Sequence, residues 1–188
     1  MSYNLTITTR SRHAILLTSY SMKTLYLLRH GIAIPYGTPD IPDDERPLTE
    51  KGERRMRQVA YGLKTLQLGF DKVVTSPLPR AFRTAEILAR VLGNPDLLES
   101  SDVLRPGVAL DDVVAWLKTR AEANLLLVGH NPSLSLLIGK LVLGVEEPQI
   151  CNLRRAGIAA LSSMETDEDR MQIDWIARPR LIRRFADK

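Results

Sequence analysis

Three short apolar runs in this chain are each followed at once by a polar loop and then by a stretch with helical spacing. Thr24 to Leu28, Lys72 to Thr75 and Asn124 to Val128 are nearly continuous in apolar residues, the pattern of strands buried on both faces. After them, Met56, Val59, Ala60, Leu63 and Leu66, then Ala81, Ala85, Leu88 and Leu92, then Leu134, Leu137, Ile138 and Leu141 recur on single helical faces. Thr49 is placed to cap the first helix, Pro77 to open the second, and Gly93 with Pro95 to end it; the last of these helices follows Pro132. Leu97 and Leu98 suggest one more short strand, Leu110, Val113, Val114 and Leu117 another helix, and Ile158 to Ser162 and Gln172 to Ala177 two closing strands. Strands alternating with helices predict an α/β fold: a three-layer α/β/α sandwich with a mostly parallel central sheet.

At 188 residues the chain is long enough to bury one ordinary core without disulfide, metal or partner. Its lone Cys151 has no internal partner and no metal-ligand spacing, which fits a reducing compartment and points to the cytoplasm. The most apolar stretch, Leu134 to Val145, is interrupted by Gly139, Lys140 and Gly144 and falls short of the ~20 residues that span a bilayer. Half of the net charge of +4 comes from Arg10 and Arg12, in a segment without acids. No basic stripe with interleaved aromatics follows, so nucleic acid is not an expected partner. The cluster Arg178, Arg180, Arg183 and Arg184 reads as a solvated end. Residues 1–21, rich in Ser and Thr, read as a disordered or dispensable extension before a domain over residues 22–188.

In a parallel sheet, ligands bind beyond the carboxyl ends of the strands. Three loops there carry unusual chemistry: Arg29-His30-Gly31, the segment Ser76 to Thr84 with Arg80 and Arg83, and Gly129-His130-Asn131-Pro132. Phosphoryl transfer needs an in-line nucleophile and donors spread over the oxygens of the moving group. Arginine, planar and always charged, suits the second task, and neutral imidazole suits the first. Gly31 lets the backbone pass close to a phosphate, and the helix opening near Pro132 aims N–H groups at it. Taken singly, each histidine is better explained by a satisfied strand-end role than by catalysis, and Arg80 and Arg83 by an exposed helix face. It is their coincidence at places where this fold assembles a site that favours chemistry. A metal site is the other sharp alternative, but neither histidine has a nearby Cys or a clear carboxylate partner; no metal and no cofactor are expected.

From Met22 almost to the C-terminus these strings resemble the histidine phosphatase superfamily: Leu27-Leu28-Arg29-His30-Gly31, then Ser76-Pro77 with Arg80-Ala81 and Thr84, then Gly129-His130. The resemblance implies the same α/β/α sandwich, His30 as the residue that is phosphorylated, and Arg29, Arg80 and His130 as the phosphate pocket. Within that superfamily, Arg46-Pro47-Leu48-Thr49 followed by Gly52, together with Asn131-Pro132, is most similar to the SixA-type phosphohistidine phosphatases. Arg46 then adds a positive group at the rim, and Gly31, Ser76 and Asn131 complete the expected substrate-binding set. Arg83 departs from that group's usual Gln, which leaves its role open.

Mutases and bisphosphatases of the superfamily carry an inserted lid with an acidic proton donor. Here only 40 positions separate Thr84 from Asn124, most of them assigned to two helices and a strand, so no lid subdomain is expected. An alkoxide leaving group needs a proton from a placed acid, whereas the imidazole of phosphohistidine leaves once protonated near its own pKa. The expectation is therefore a phosphatase acting on phosphohistidine of a partner protein, such as a histidine phosphotransfer domain in signal transduction. Glu99, Asp102, Asp43 and Asp44 are the candidates should an acid take part. Competing readings are a small-molecule phosphomonoesterase with the same pocket, a non-catalytic module that reads phosphate, and a mutase.

Overall fold

The computed structural model describes residues 22–145, 150–164 and 167–186. The reading of residues 1–21 as a dispensable extension lies outside them.

The chain runs β1 (Thr24–Arg29), α1 (Glu50–Thr65), β2 (Lys72–Thr75), α2 (Pro79–Leu92), β3 (Leu98–Ser100), α3 (Leu110–Leu117), β4 (Asn124–Gly129), α4 (Ser133–Leu143), β5 (Ile158–Met164), β6 (Asp167–Ala177) and α5 (Pro179–Ile182). The strands form one sheet in the order β3-β2-β4-β1-β5-β6. The first four run parallel and the last two antiparallel. Four consecutive residues of β1 are buried because its side chains alternate between two cores: Tyr26 and Leu28 meet α1 and α2, Leu25 and Leu27 meet α3 and α4. Helices on both faces make the expected three-layer sandwich. Between α2 and β4 the chain holds only β3, α3 and two short 3₁₀ turns, with no inserted subdomain.

The closing strands are longer than the sequence reading, β5 ending at Met164 and β6 beginning at Asp167, and the start of α2 is shifted. The second helix begins at Pro79, not Pro77, because the residue before a proline is excluded from helical backbone; Leu78 is held extended at ψ 136°. Thr49 caps α1 as expected, its hydroxyl accepting from the Gly52 N–H at 3.0 Å and donating to the Ile32 carbonyl at 3.2 Å. Gly52 is required here, since a Cβ would lie 2.0 Å from the Ile32 oxygen. The cap thus fastens the loop after β1 to the start of α1.

Register levels the strand ends. Arg29 pairs with Gly129, and Thr75 with Val128, so His30, Ser76 and His130 leave the sheet within one residue of one another. The loop after β1 leads to the face packed by α1, the loop after β4 to the opposite face. A crevice opens between two adjacent strands whose connections diverge in this way.

Candidate active site

The crevice between β1 and β4 holds both imidazoles, with ring centroids 5.2 Å apart and planes inclined at 55°. His30 is 7% exposed and His130 3%. His30 Nδ1 lies 2.8 Å from the Gly31 carbonyl, which can only accept; Nδ1 therefore carries the proton of the neutral ring, and Nε2 keeps its lone pair. Burial lowers the His30 pKa to about 4, with the Arg80, Arg29 and Arg155 charges adding to it and the Gly31 carbonyl opposing. His130 is lowered to about 3, first by burial, then by His30, Arg80, Arg29 and Arg46. Both rings are neutral at pH 7.

That neutrality has a measurable consequence. Between its folded pKa and the unfolded value near 6.5, each ring binds fewer protons folded than unfolded, so stability rises with pH there and is lost on acidification. The denaturant midpoint is expected to fall between pH 7 and pH 5, and to fall less in His30→Gln. Equal losses in the two proteins would mean that His30 is not buried as a neutral ring.

Arg80, on the first turn of α2, is 3% exposed and donates through Nη1 to the Asp43 carbonyl at 2.6 Å and through Nη2 to Asp43 Oδ2 at 3.3 Å. Arg46 closes the same turn, with Nε to Asp43 Oδ1 at 2.7 Å and Nη1 to the Ile34 carbonyl at 2.6 Å. Arg29 at the end of β1 donates to the Leu153 carbonyl at 2.9 Å. Burial lowers the pKa of Arg29 and of Arg80, yet a guanidinium stays charged, so these side chains give the crevice a standing positive bias. Thr84 ties the loop after β1 to α2, accepting from the Gly31 N–H at 3.0 Å and donating to the Arg80 carbonyl at 2.7 Å within the helix.

Ser76 Oγ lies 2.9 Å from His130 Nε2 and accepts from the Leu78 N–H at 3.4 Å. Asn131 stands at the rim, but its amide braces the neighbouring loop, donating to Asn152 Oδ1 and the Leu153 carbonyl at 3.1 Å each. Arg83 points elsewhere: it grips Glu53 with two bonds of 2.7 and 3.0 Å and Glu86 with a third of 2.7 Å, linking α1 to α2, and these carboxylates raise its pKa. Of the four acids considered, Glu99 is held by Arg120 and Asp102 by Arg105, while Asp44 is 3.9 Å from Arg105. Of these four, only Asp43 bonds to Arg80 and Arg46.

Among the described residues, five buried side-chain polar atoms lack a hydrogen-bond partner, and four of them belong here: Arg29 Nε, Arg80 Nε, His130 Nδ1 and Asn131 Oδ1. Buried polar groups are otherwise nearly always paired, so their concentration marks a place built to meet a polar ligand. No cluster of three potential metal ligands occurs among the described residues.

The sequence reading missed the loop before β5. Because β5 is antiparallel to β1, its start lies at the same sheet end as the crevice, and Leu153 and Arg155 come to flank Arg29 and His30. The signal was available in Arg154-Arg155 directly before a strand, but only to a reading that fixed that strand's direction.

Residues 25–104 match the family pattern of the histidine phosphatase superfamily, branch 1. An uncharacterized protein of Picosynechococcus sp. is 41% identical over 145 residues, covering 74% of this chain and 84% of its own. The phosphohistidine phosphatase SixA of Escherichia coli K12 is 28% identical over 147 residues, covering 77% of this chain and 86% of its own. Among solved structures, the protein histidine phosphatase SixA complexed with tungstate aligns with a TM-score of 0.72 at 26% identity, over 85% of this chain and 99% of that one.

Proposed function

Because this chain belongs to the histidine phosphatase superfamily, we propose that it hydrolyses phosphohistidine on a partner protein through a phosphohistidine intermediate on His30. The observation that carries this reading is the meeting of two neutral imidazoles 5.2 Å apart with the buried Arg80 and the end of β1 that bears Arg29. His30 Nε2 attacks phosphorus in line as the bond to the leaving imidazole breaks. Arg29, Arg80 and His130 stabilise the charge on the equatorial oxygens. With Ser76 donating to His130 Nε2, the unpaired Nδ1 of that ring carries a proton for one of these oxygens. Water then attacks the phosphoryl group on His30, releasing inorganic phosphate and restoring the neutral ring.

The substrate-binding set is Gly31, Arg46, Ser76 and Asn131, with Arg46 extending the positive rim and Asn131 positioning the Asn152–Leu153 loop. Support for phosphohistidine as the substrate is chemical. No lid is inserted between α2 and β4, and the leaving imidazole takes its proton from water near neutral pH. The likeness to proteins named as phosphohistidine phosphatases agrees with this. A second reading, hydrolysis of small phosphomonoesters, draws on Asp43, among the described residues the one carboxylate that hydrogen-bonds Arg80. Signalling in the cytoplasm suits the first reading; no described helix is long and apolar enough to cross a membrane.

Relative kcat/KM values separate the two. A phosphohistidine-bearing phosphotransfer domain is expected to exceed a sugar phosphate by roughly 10²-fold, the scale of a missing general acid. A sugar phosphate turned over as fast as the phosphoprotein would favour the second reading.

A further inference from the structure

The two rims of the crevice are electrostatically unlike. On one side Arg46 and Arg105 are neutralised by Asp43 and Asp102. Elsewhere Arg54, Arg57, Arg83, Arg90 and Arg120 are likewise held by carboxylates. On the other side, Arg55, Arg154, Arg155 and Arg183 have no ion-pair partner among the described residues; the first three are exposed, Arg183 is half-buried and its Nε has no hydrogen-bond partner. An open cleft of about 420 Å³ is lined by Arg29, Ile32, Arg154 and Arg155. A smaller groove beside it shares Ile32 and Arg155 and adds Arg55 and Arg183. The cationic surface therefore runs without a break from the end of β1 to the start of α1 and the C-terminal turn.

This surface is held in place. Ala156 adopts φ 60°, a left-handed conformation that costs a non-glycine residue about 1 kcal/mol, and its N–H donates to the carbonyls of Arg29 and His30 at 3.0 and 3.1 Å. Arg154 and Arg155 are thereby fixed to the end of the strand that carries His30. Like charges gathered with no acid among them repel one another, and an anionic partner removes that repulsion.

We propose that Arg55, Arg154, Arg155 and Arg183 form a docking surface for an acidic face of the phosphoprotein substrate, beside the crevice that takes its phosphoryl group. The proposal rests on the reading of the site as a phosphohistidine phosphatase. The shape favours a protein over a small polyphosphate, since the larger cleft, lined by Arg29, Arg154 and Arg155, lies open to solvent and does not enclose a small ligand as concave pockets do. A single-stranded nucleic acid would want aromatic platforms, and none lines either cleft.

The test uses the full chain, wild type and Arg55→Glu/Arg154→Glu, with two substrates: a histidine-phosphorylated phosphotransfer domain acidic around its histidine, and phenyl phosphate. The ratio of kcat/KM for the protein to that for phenyl phosphate is expected to fall at least about tenfold in the variant, mainly through KM, with a flatter dependence on NaCl. Arg55→Gln/Arg154→Gln, gentler on folding, is expected to lose part of the ratio in the same sense. A ratio within twofold of wild type in both variants, with unchanged salt dependence, overturns the docking surface alone. Wild-type enzyme that hydrolyses phenyl phosphate but releases none from the phosphoprotein overturns the phosphohistidine reading and the docking surface with it.

Discussion

Replacing His30 by alanine is expected to lower turnover of every phosphorylated substrate by on the order of 10⁴-fold or more, the scale seen when a nucleophile is deleted from an otherwise intact site. Alanine has no lone pair to form the intermediate, and His130 does not stand in for it. The His130 Nε2 faces Ser76 rather than the open crevice, and its ring leaves the sheet from the neighbouring strand. The loss is expected to fall on kcat, because the phosphate-binding role proposed for Arg29 and Arg80 does not need the His30 ring. Folding is expected to survive: among the described residues the His30 side chain hydrogen-bonds only the adjacent Gly31 carbonyl, and deleting a buried ring that resists protonation removes an acid-sensitive element. Stopped or steady-state phosphate release measures the first effect and a denaturant midpoint the second. Activity within tenfold of wild type in a folded variant would assign the chemistry to another residue.

Arg80→Ala is expected to cost about 10²- to 10³-fold in kcat, as removal of one preorganised donor to a developing anion does. Two effects combine in it. The guanidinium charge leaves a crevice where burial magnifies each interaction, and the Asp43 carbonyl loses the shorter of its two donors, which loosens the 3₁₀ turn that also orients Arg46. Arg80→Lys separates them: it restores charge without the planar fork, and part of the loss should remain. A kcat reduced less than threefold in Arg80→Ala would place this residue outside the phosphoryl pocket.

The elements that position the site were legible because they are local. Continuous apolar runs gave β1, β2 and β4 to within a residue, since a strand covered on both faces has no polar side to alternate. Thr49 and Gly93 marked helix ends through backbone chemistry that depends on one residue each. The start of α2 was misplaced by two residues because two prolines compete there, and the second excludes the residue before it from the helix.

What was not legible depends on contacts between distant segments. Nothing in Ile158 to Ser162 tells a parallel strand from an antiparallel one, so the loop that carries Leu153, Arg154 and Arg155 to the crevice was not seen. Arg83 lies one turn from Arg80 in sequence, yet it faces Glu53 across the α1–α2 interface, a pairing of residues 30 positions apart. Asp43 illustrates the same limit: in sequence it is one of two equivalent loop acids, and only the turn closed by Arg46 aims it at Arg80.

All of this depends on one covalent event, transfer of the phosphoryl group to a particular ring nitrogen. Rapid quench of the enzyme with a phosphohistidine protein, followed by peptide mapping in a mass spectrometer under alkaline conditions, observes it directly. The expected result is one acid-labile phosphoryl group on the peptide containing His30, formed and consumed at the rate of turnover. Phosphate released with no phosphorylated enzyme at any time, or a label that resides on His130, would contradict it.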